Sequence, residues 1–152
     1  MPAVTLRLDH AGRPVVELYL GVSAAEAEVF PEGETVPPPL PALALVDTGA
    51  SQTVVERRLV EALGLEPVGQ TEFRSATTGP TPVPATLYAV RVTLAGDTPG
   101  LLDGDLQVIA SEGLGLVGVQ ALLGRDVLNR RLVRYHGPDG EFALEFDPVD
   151  LP

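Results

Sequence analysis

LALVDTGASQTVV, residues 43–55, carries an apolar run into an acid, turns on Thr48-Gly49, and returns at once to the β-branched residues Thr53, Val54 and Val55. Residues 43–46 have the composition of a buried strand, and Asp47 stands at its end. By itself Asp-Thr-Gly fits an ordinary turn capped by its own aspartate. The surrounding pattern gives it weight: an apolar strand runs into it, a Ser and two β-branched valines follow, and an apolar-apolar-Gly-Arg-Asp element lies far downstream.

The flanking sequence is mostly short strands. Residues 4–8 and 15–20 alternate apolar and polar positions around the turn His10-Ala11-Gly12-Arg13-Pro14, the pattern of a β-hairpin. SAAEAEVF (23–30) sets Ser23 and Glu26 at capping-box spacing and predicts a short helix. PEGETVPPPLP (31–41) reads as a loop of polyproline tendency, since three successive prolines cannot donate to a sheet. Val55, Leu59, Val60 and Leu63 recur at helical spacing within residues 55–65, with Gly64 as a stop signal. Residues 71–75 and 86–94 suggest a long hairpin with its tip near Gly79. In its second strand Tyr88, Val90, Val92 and Leu94 share one face. Residues 106–109 predict a further strand, and LLGRDVLNRR (122–131) an apolar strand end, a glycine and a short helix. Residues 132–135 and 141–146 predict a last hairpin. The sum is an all-β domain, closed or sandwich-like, with one to three short helices.

Length and composition set the bounds. A chain of 152 residues with 45% hydrophobic content fits one domain with a real core, and 5% aromatic content without Trp makes that core aliphatic. There is no cysteine, so thiol nucleophiles, disulfides and cysteine-based zinc sites are excluded. A net charge of −11 opposes binding to nucleic acid, and no apolar run reaches the length of a membrane span. The ten basic residues are all Arg, a composition that suits a GC-rich bacterial genome. No basic n-region with a long apolar segment opens the sequence, and the expected location is cytoplasmic.

Other motifs carry less. Gly113-Leu114-Gly115-Leu116-Val117-Gly118 spells G-x-G-x-x-G after a predicted strand, yet a dinucleotide fold needs repeated βαβ units, and the residues that follow predict only a short helix and a hairpin. His10 and His136 both fall in predicted turns, and no G-x-S-x-G elbow accompanies them. No acidic stretch has EF-hand spacing; neither a metal nor a cofactor is expected.

With Leu45-Val46-Asp47-Thr48-Gly49-Ala50-Ser51 followed far downstream by Leu122-Leu123-Gly124-Arg125-Asp126-Val127-Leu128, the chain resembles the retropepsin-like aspartic proteases. The first segment resembles their catalytic loop. The second resembles the apolar strand, Gly-Arg turn and short helix that close each of their lobes. The resemblance covers residues 43–146, and residues 1–42, the hairpin, helix and proline-rich insertion, complete a single domain of 1–152.

The resemblance implies a closed barrel of six or more strands and an aspartic endopeptidase. Such chemistry needs two carboxylates sharing one water and one proton. The sequence holds a single Asp-Thr-Gly, so the resemblance implies a homodimer in which Asp47 of each copy faces its twin. It gives Thr48 the role of locking the two loops across the axis, and Gly49 that of admitting the substrate backbone closely. Ala50, where relatives with Ser or Thr have an extra donor to the carboxylates, implies an optimum less acidic than that of pepsin-like enzymes. Gly124, Arg125 and Asp126 form the structural element, with Arg125 bracing the catalytic loop. Ser51 stands where retroviral relatives carry an acid for that arginine, which leaves its partner open. Thr77, Thr78 and Gly79 are expected at the tip of a flap over an extended peptide. Aliphatic pocket walls imply apolar residues beside the cleaved bond. A catalytically idle domain used for dimerisation or peptide binding is the alternative.

Overall fold

The computed structural model describes residues 5–74, 80–95 and 105–146. Ten strands and three short α-helices follow in the order β1 (Thr5–Arg7), β2 (Val15–Val22), α1 (Ala24–Glu28), β3 (Leu40–Val46), β4 (Val54–Glu56), α2 (Arg57–Ala62), β5 (Gly69–Phe73), β6 (Val83–Leu94), β7 (Asp105–Ser111), β8 (Ala121–Leu123), α3 (Arg125–Leu128), β9 (Arg131–His136) and β10 (Glu141–Phe146).

Six strands close a barrel in the order β2-β3-β8-β4-β7-β6, with β6 returning to β2. Closure depends on the length of β6. One of its edges pairs with β7 through residues 86–91, while the other serves β5 with residues 83–87 and then β2 with residues 90–94. The outer part of β6 therefore leaves the barrel with β5 as a projecting hairpin, and the inner part seals the wall. The alternation in the sequence matches this placement. Tyr88, Val90, Val92 and Leu94 are buried and meet Val16, Leu18 and Leu20 of β2 in an aliphatic core.

Strand β8 is the keystone. It lies between β3, to which it is parallel (Ala44↔Ala121 to Val46↔Leu123), and β4, to which it is antiparallel (Val54↔Leu122, Val55↔Ala121). The chain's two motifs thus meet side by side although about 75 residues separate them. Strand β3 starts at Leu40, earlier than the sequence suggests, and takes in Pro41 opposite Tyr19. A proline is tolerated there because β8 pairs only from Ala44 onward.

A second sheet, β1-β10-β9, packs against the barrel. Leu6 lies opposite Phe142, and both contribute to the core along with Leu144. This corrects the hairpin expected between residues 4–8 and 15–20. The turn forms, with Asp9 accepting the amides of Ala11 and Arg13, but β1 crosses to β10. Both edges of β2 are already occupied, by β3 and β6. The Arg13 amide, aided by its guanidinium, holds the Asp9 carboxyl below the usual range.

The helix expected over residues 55–65 is shorter, because residues 54–56 are drawn into the wall between β7 and β8. It ends with Gly64 at φ +71°, a left-handed position that suits glycine. The glycine-rich stretch forms a 3₁₀ turn over Leu114–Val117, bonded through the Gly115 amide to Glu56, and leads into β8 rather than a helix. That excludes the dinucleotide-binding arrangement. Ser23 caps α1 by accepting the Glu26 amide.

Candidate active site

Asp47 is held at the end of β3 by its neighbour in the barrel wall. Its amide donates to the carbonyl of Leu123, 3.0 Å away, continuing the β3–β8 ladder by one bond. The chain then turns sharply. The Ala50 amide donates to the carbonyl of Asp47 at 3.2 Å, and the Gly49 amide donates to Asp47 Oδ1 at 2.9 Å. The carboxylate is thus oriented by its own loop and remains half-buried, while Thr48 and Gly49 are exposed. A Cβ on Gly49 would lie 3.1 Å from Asp47 Oδ1. The glycine therefore makes room for the carboxylate itself, a local reason for its presence alongside any approach of substrate.

The second motif holds this loop from behind. The Arg125 amide donates to the carbonyl of Ala50 at 2.8 Å, and Arg125 Nη1 donates to the carbonyl of Thr48 at 2.8 Å. The partner left open by the sequence is thus a main-chain oxygen. Asp126 reaches the far side of the loop, where Oδ2 accepts the Thr53 amide (2.9 Å) and Oδ1 accepts the Thr53 hydroxyl (2.8 Å). The same hydroxyl oxygen accepts the Gly124 amide at 3.2 Å. Thr53 is fully buried, and its pairing with Asp126 connects the start of β4 to α3. Sequence reasoning passed over Thr53. Its one signal was a hydroxyl residue at the threshold of an apolar strand, six residues after Asp47.

This network predicts a stability effect. Asp126→Ala strips the acceptor from two donors of Thr53, and leaving buried donors unpaired costs about 1–3 kcal/mol each way such groups are measured. The expected loss is about 3 kcal/mol in denaturant unfolding. Asp126→Asn retains one acceptor oxygen and is expected to lose less.

A cleft of about 350 Å³ opens beside the loop. Gly49, Ala50, Ser51 and Gln52 line one side, Glu72, Phe73 and Arg74 at the outer end of β5 line the other, and Ile109 contributes from β7. Gln52 Nε2 donates to the carbonyl of Gln107 at 3.3 Å, joining the loop to β7. Thr77, Thr78 and Gly79 lie outside the described residues. The described strands that flank residues 75–79, β5 and β6, pair with each other, and the outer end of β5 lines this cleft. Among the described residues, no group of three or more His, Asp or Glu side chains is gathered as metal ligands would be. None of the described helices is long and apolar enough to cross a membrane.

The closed barrel and the paired motifs define a retropepsin-like aspartic protease fold. The crystal structure of a retropepsin-like aspartic protease from Rickettsia conorii is similar, with a TM-score of 0.60 over 95% of this chain and 91% of that one, at 15% identity. The sequence matches the family described as gag-polyprotein putative aspartyl protease over residues 40–130, well over half of its length, and the chain belongs to that family. No curated protein sequence matches it.

Proposed function

We propose that the protein is an aspartic endopeptidase that acts as a homodimer, with one water activated between the Asp47 carboxylates of two copies. The observation that carries this is the presentation of Asp47: a single oriented carboxylate, half-buried at the end of β3, in a loop that Arg125 braces and whose next residues, Gly49 to Gln52, line a cleft. In the shared site one carboxylate is ionised and takes a proton from the water. The water oxygen then bonds to the scissile carbonyl carbon, while the protonated partner polarises and protonates the carbonyl oxygen. Collapse of the adduct expels the amine, which takes up a proton, and the pair returns to holding one proton.

The cleft supports an extended peptide lying between the loop and the β5–β6 hairpin, with Phe73 and Ile109 as apolar surface beside the cleaved bond. The residues 77–79 are assigned to the hairpin's closing tip. Thr48, exposed at the turn, is assigned to contact its twin across the axis. The composition supports a cytoplasmic location for this activity.

The test is dilution. Specific activity should fall as the protein is diluted through the dimer dissociation constant, in step with the sedimenting mass. Full activity from a strictly monomeric species would refute the shared site.

A further inference from the structure

We infer that Glu72 is a specificity residue that selects peptides bearing a basic side chain near the scissile bond. The inference rests on the proposed peptide-binding cleft and adds its charge preference. Glu72 lines that cleft at the outer end of β5, across from Ser51 and Gln52. Its side chain is exposed, and among the described residues it makes no ion pair. An arginine or lysine of a bound peptide would give it one.

Arg74 lines the same cleft and is the local competitor, since it would favour an acidic peptide by the same reasoning. Two further charges decide between them. The Asp47 pair with one shared proton places a net negative charge at the centre of the site, so Glu72 and Arg74 offset each other and the dyad does not. The chain as a whole carries −11, and its field draws cations toward the cleft and repels anions. The other cation beside the loop, Arg125, is bonded to the Thr48 carbonyl and faces the loop rather than the cleft lining. The cleft therefore favours a cationic side chain held against Phe73 and Ile109, whose apolar surface suits an aliphatic stem with a charged end.

The experiment uses one apolar core peptide with Arg, Gln or Glu substituted at each position flanking its central bond. Binding to the wild type is measured by fluorescence anisotropy with the central peptide bond replaced by an uncleavable ketomethylene isostere, and cleavage by the wild type with the ordinary peptides. At low salt, at one or more positions, affinity should follow Arg over Gln over Glu, with the Arg peptide favoured roughly fivefold over Gln, the scale of a partly exposed ion pair. Glu72→Gln should cut the Arg-over-Gln preference at that position to about twofold or less, whereas Arg74→Gln should widen it. An Arg preference that Glu72→Gln leaves undiminished, a preference for Glu peptides, or no binding at all would overturn the inference. The expected order of binding with no cleavage by the wild type would uphold it and overturn the endopeptidase reading instead.

Discussion

Asp47→Asn is expected to remove peptide hydrolysis and leave the fold in place. A carboxamide cannot take a proton from water at neutral pH, and in a homodimer the substitution removes both members of the pair at once. General acid and base contributions amount to about 10²–10⁴-fold for a positioned group, so kcat/KM should fall by at least that range. The fold should be spared because the contacts that set the loop do not need the charge. The Asn oxygen still accepts the Gly49 amide, and the main-chain bonds from Asp47 to Leu123 and from Ala50 to Asp47 are untouched. Replacing a half-buried carboxylate by its neutral isostere also lowers the desolvation cost, and in the dimer it relieves repulsion between like charges. The variant should therefore match or exceed the wild type in thermal midpoint and retain its mass in sedimentation. Cleavage that persists in Asp47→Asn would remove Asp47 from the chemistry. A wild type that cleaves no member of a diverse peptide library, yet dimerises, would favour the peptide-binding alternative.

The sequence was informative where its signals are local. An apolar run into Asp-Thr-Gly marks a strand end and a turn, and the structure places Asp47 at the end of β3. Strict alternation marks the buried face of β6, and Tyr88, Val90, Val92 and Leu94 are all on it. Partner choice is a different matter. Alternation shows which face of β1 is apolar and nothing about which sheet edge is free, so a plausible hairpin with β2 gave way to pairing with β10. Barrel closure through β2 and β6 and the insertion of β8 between β3 and β4 join distant segments, and no short-range pattern encodes them. The brace on the catalytic loop was half legible for a related reason. Arg125 stands out in the sequence with its partner left open, and the acceptor is the Thr48 carbonyl, a group every residue carries. Thr53 offered only a hydroxyl at the threshold of an apolar strand, because its importance comes from burial beside Asp126, 73 residues away.

Gly124→Ala is expected to be among the most destabilising single substitutions in this chain, although alanine is the smallest possible addition. The cause is steric and not conformational. Gly124 has φ −91° and ψ −177°, extended backbone that any residue adopts. A Cβ there would meet the carbonyl carbon of Gln52 at 2.6 Å, its oxygen at 2.7 Å and the Ala50 oxygen at 3.0 Å. All three are main-chain atoms, so no side-chain rotation relieves the clash. The loop is also prevented from retreating, because Arg125 donates to that same Ala50 oxygen and the Gly124 amide donates to Thr53. Relief requires breaking these bonds or moving the segment that carries Asp47. Overpacking of a well-packed site costs about 1–3 kcal/mol, and the lost hydrogen bonds add to it, so a loss of about 3 kcal/mol or more is expected against a typical total of about 5–15 kcal/mol. Gly115→Ala is the matched control. A Cβ there meets nothing within 4 Å and the backbone has no positive φ, so the change should stay within about 0.5 kcal/mol. Urea unfolding of both variants at a common m value separates the two cases. Whatever fraction of Gly124→Ala still folds should also lose activity out of proportion to its abundance, since its folded form has paid for the methyl group by displacing the Asp47 loop.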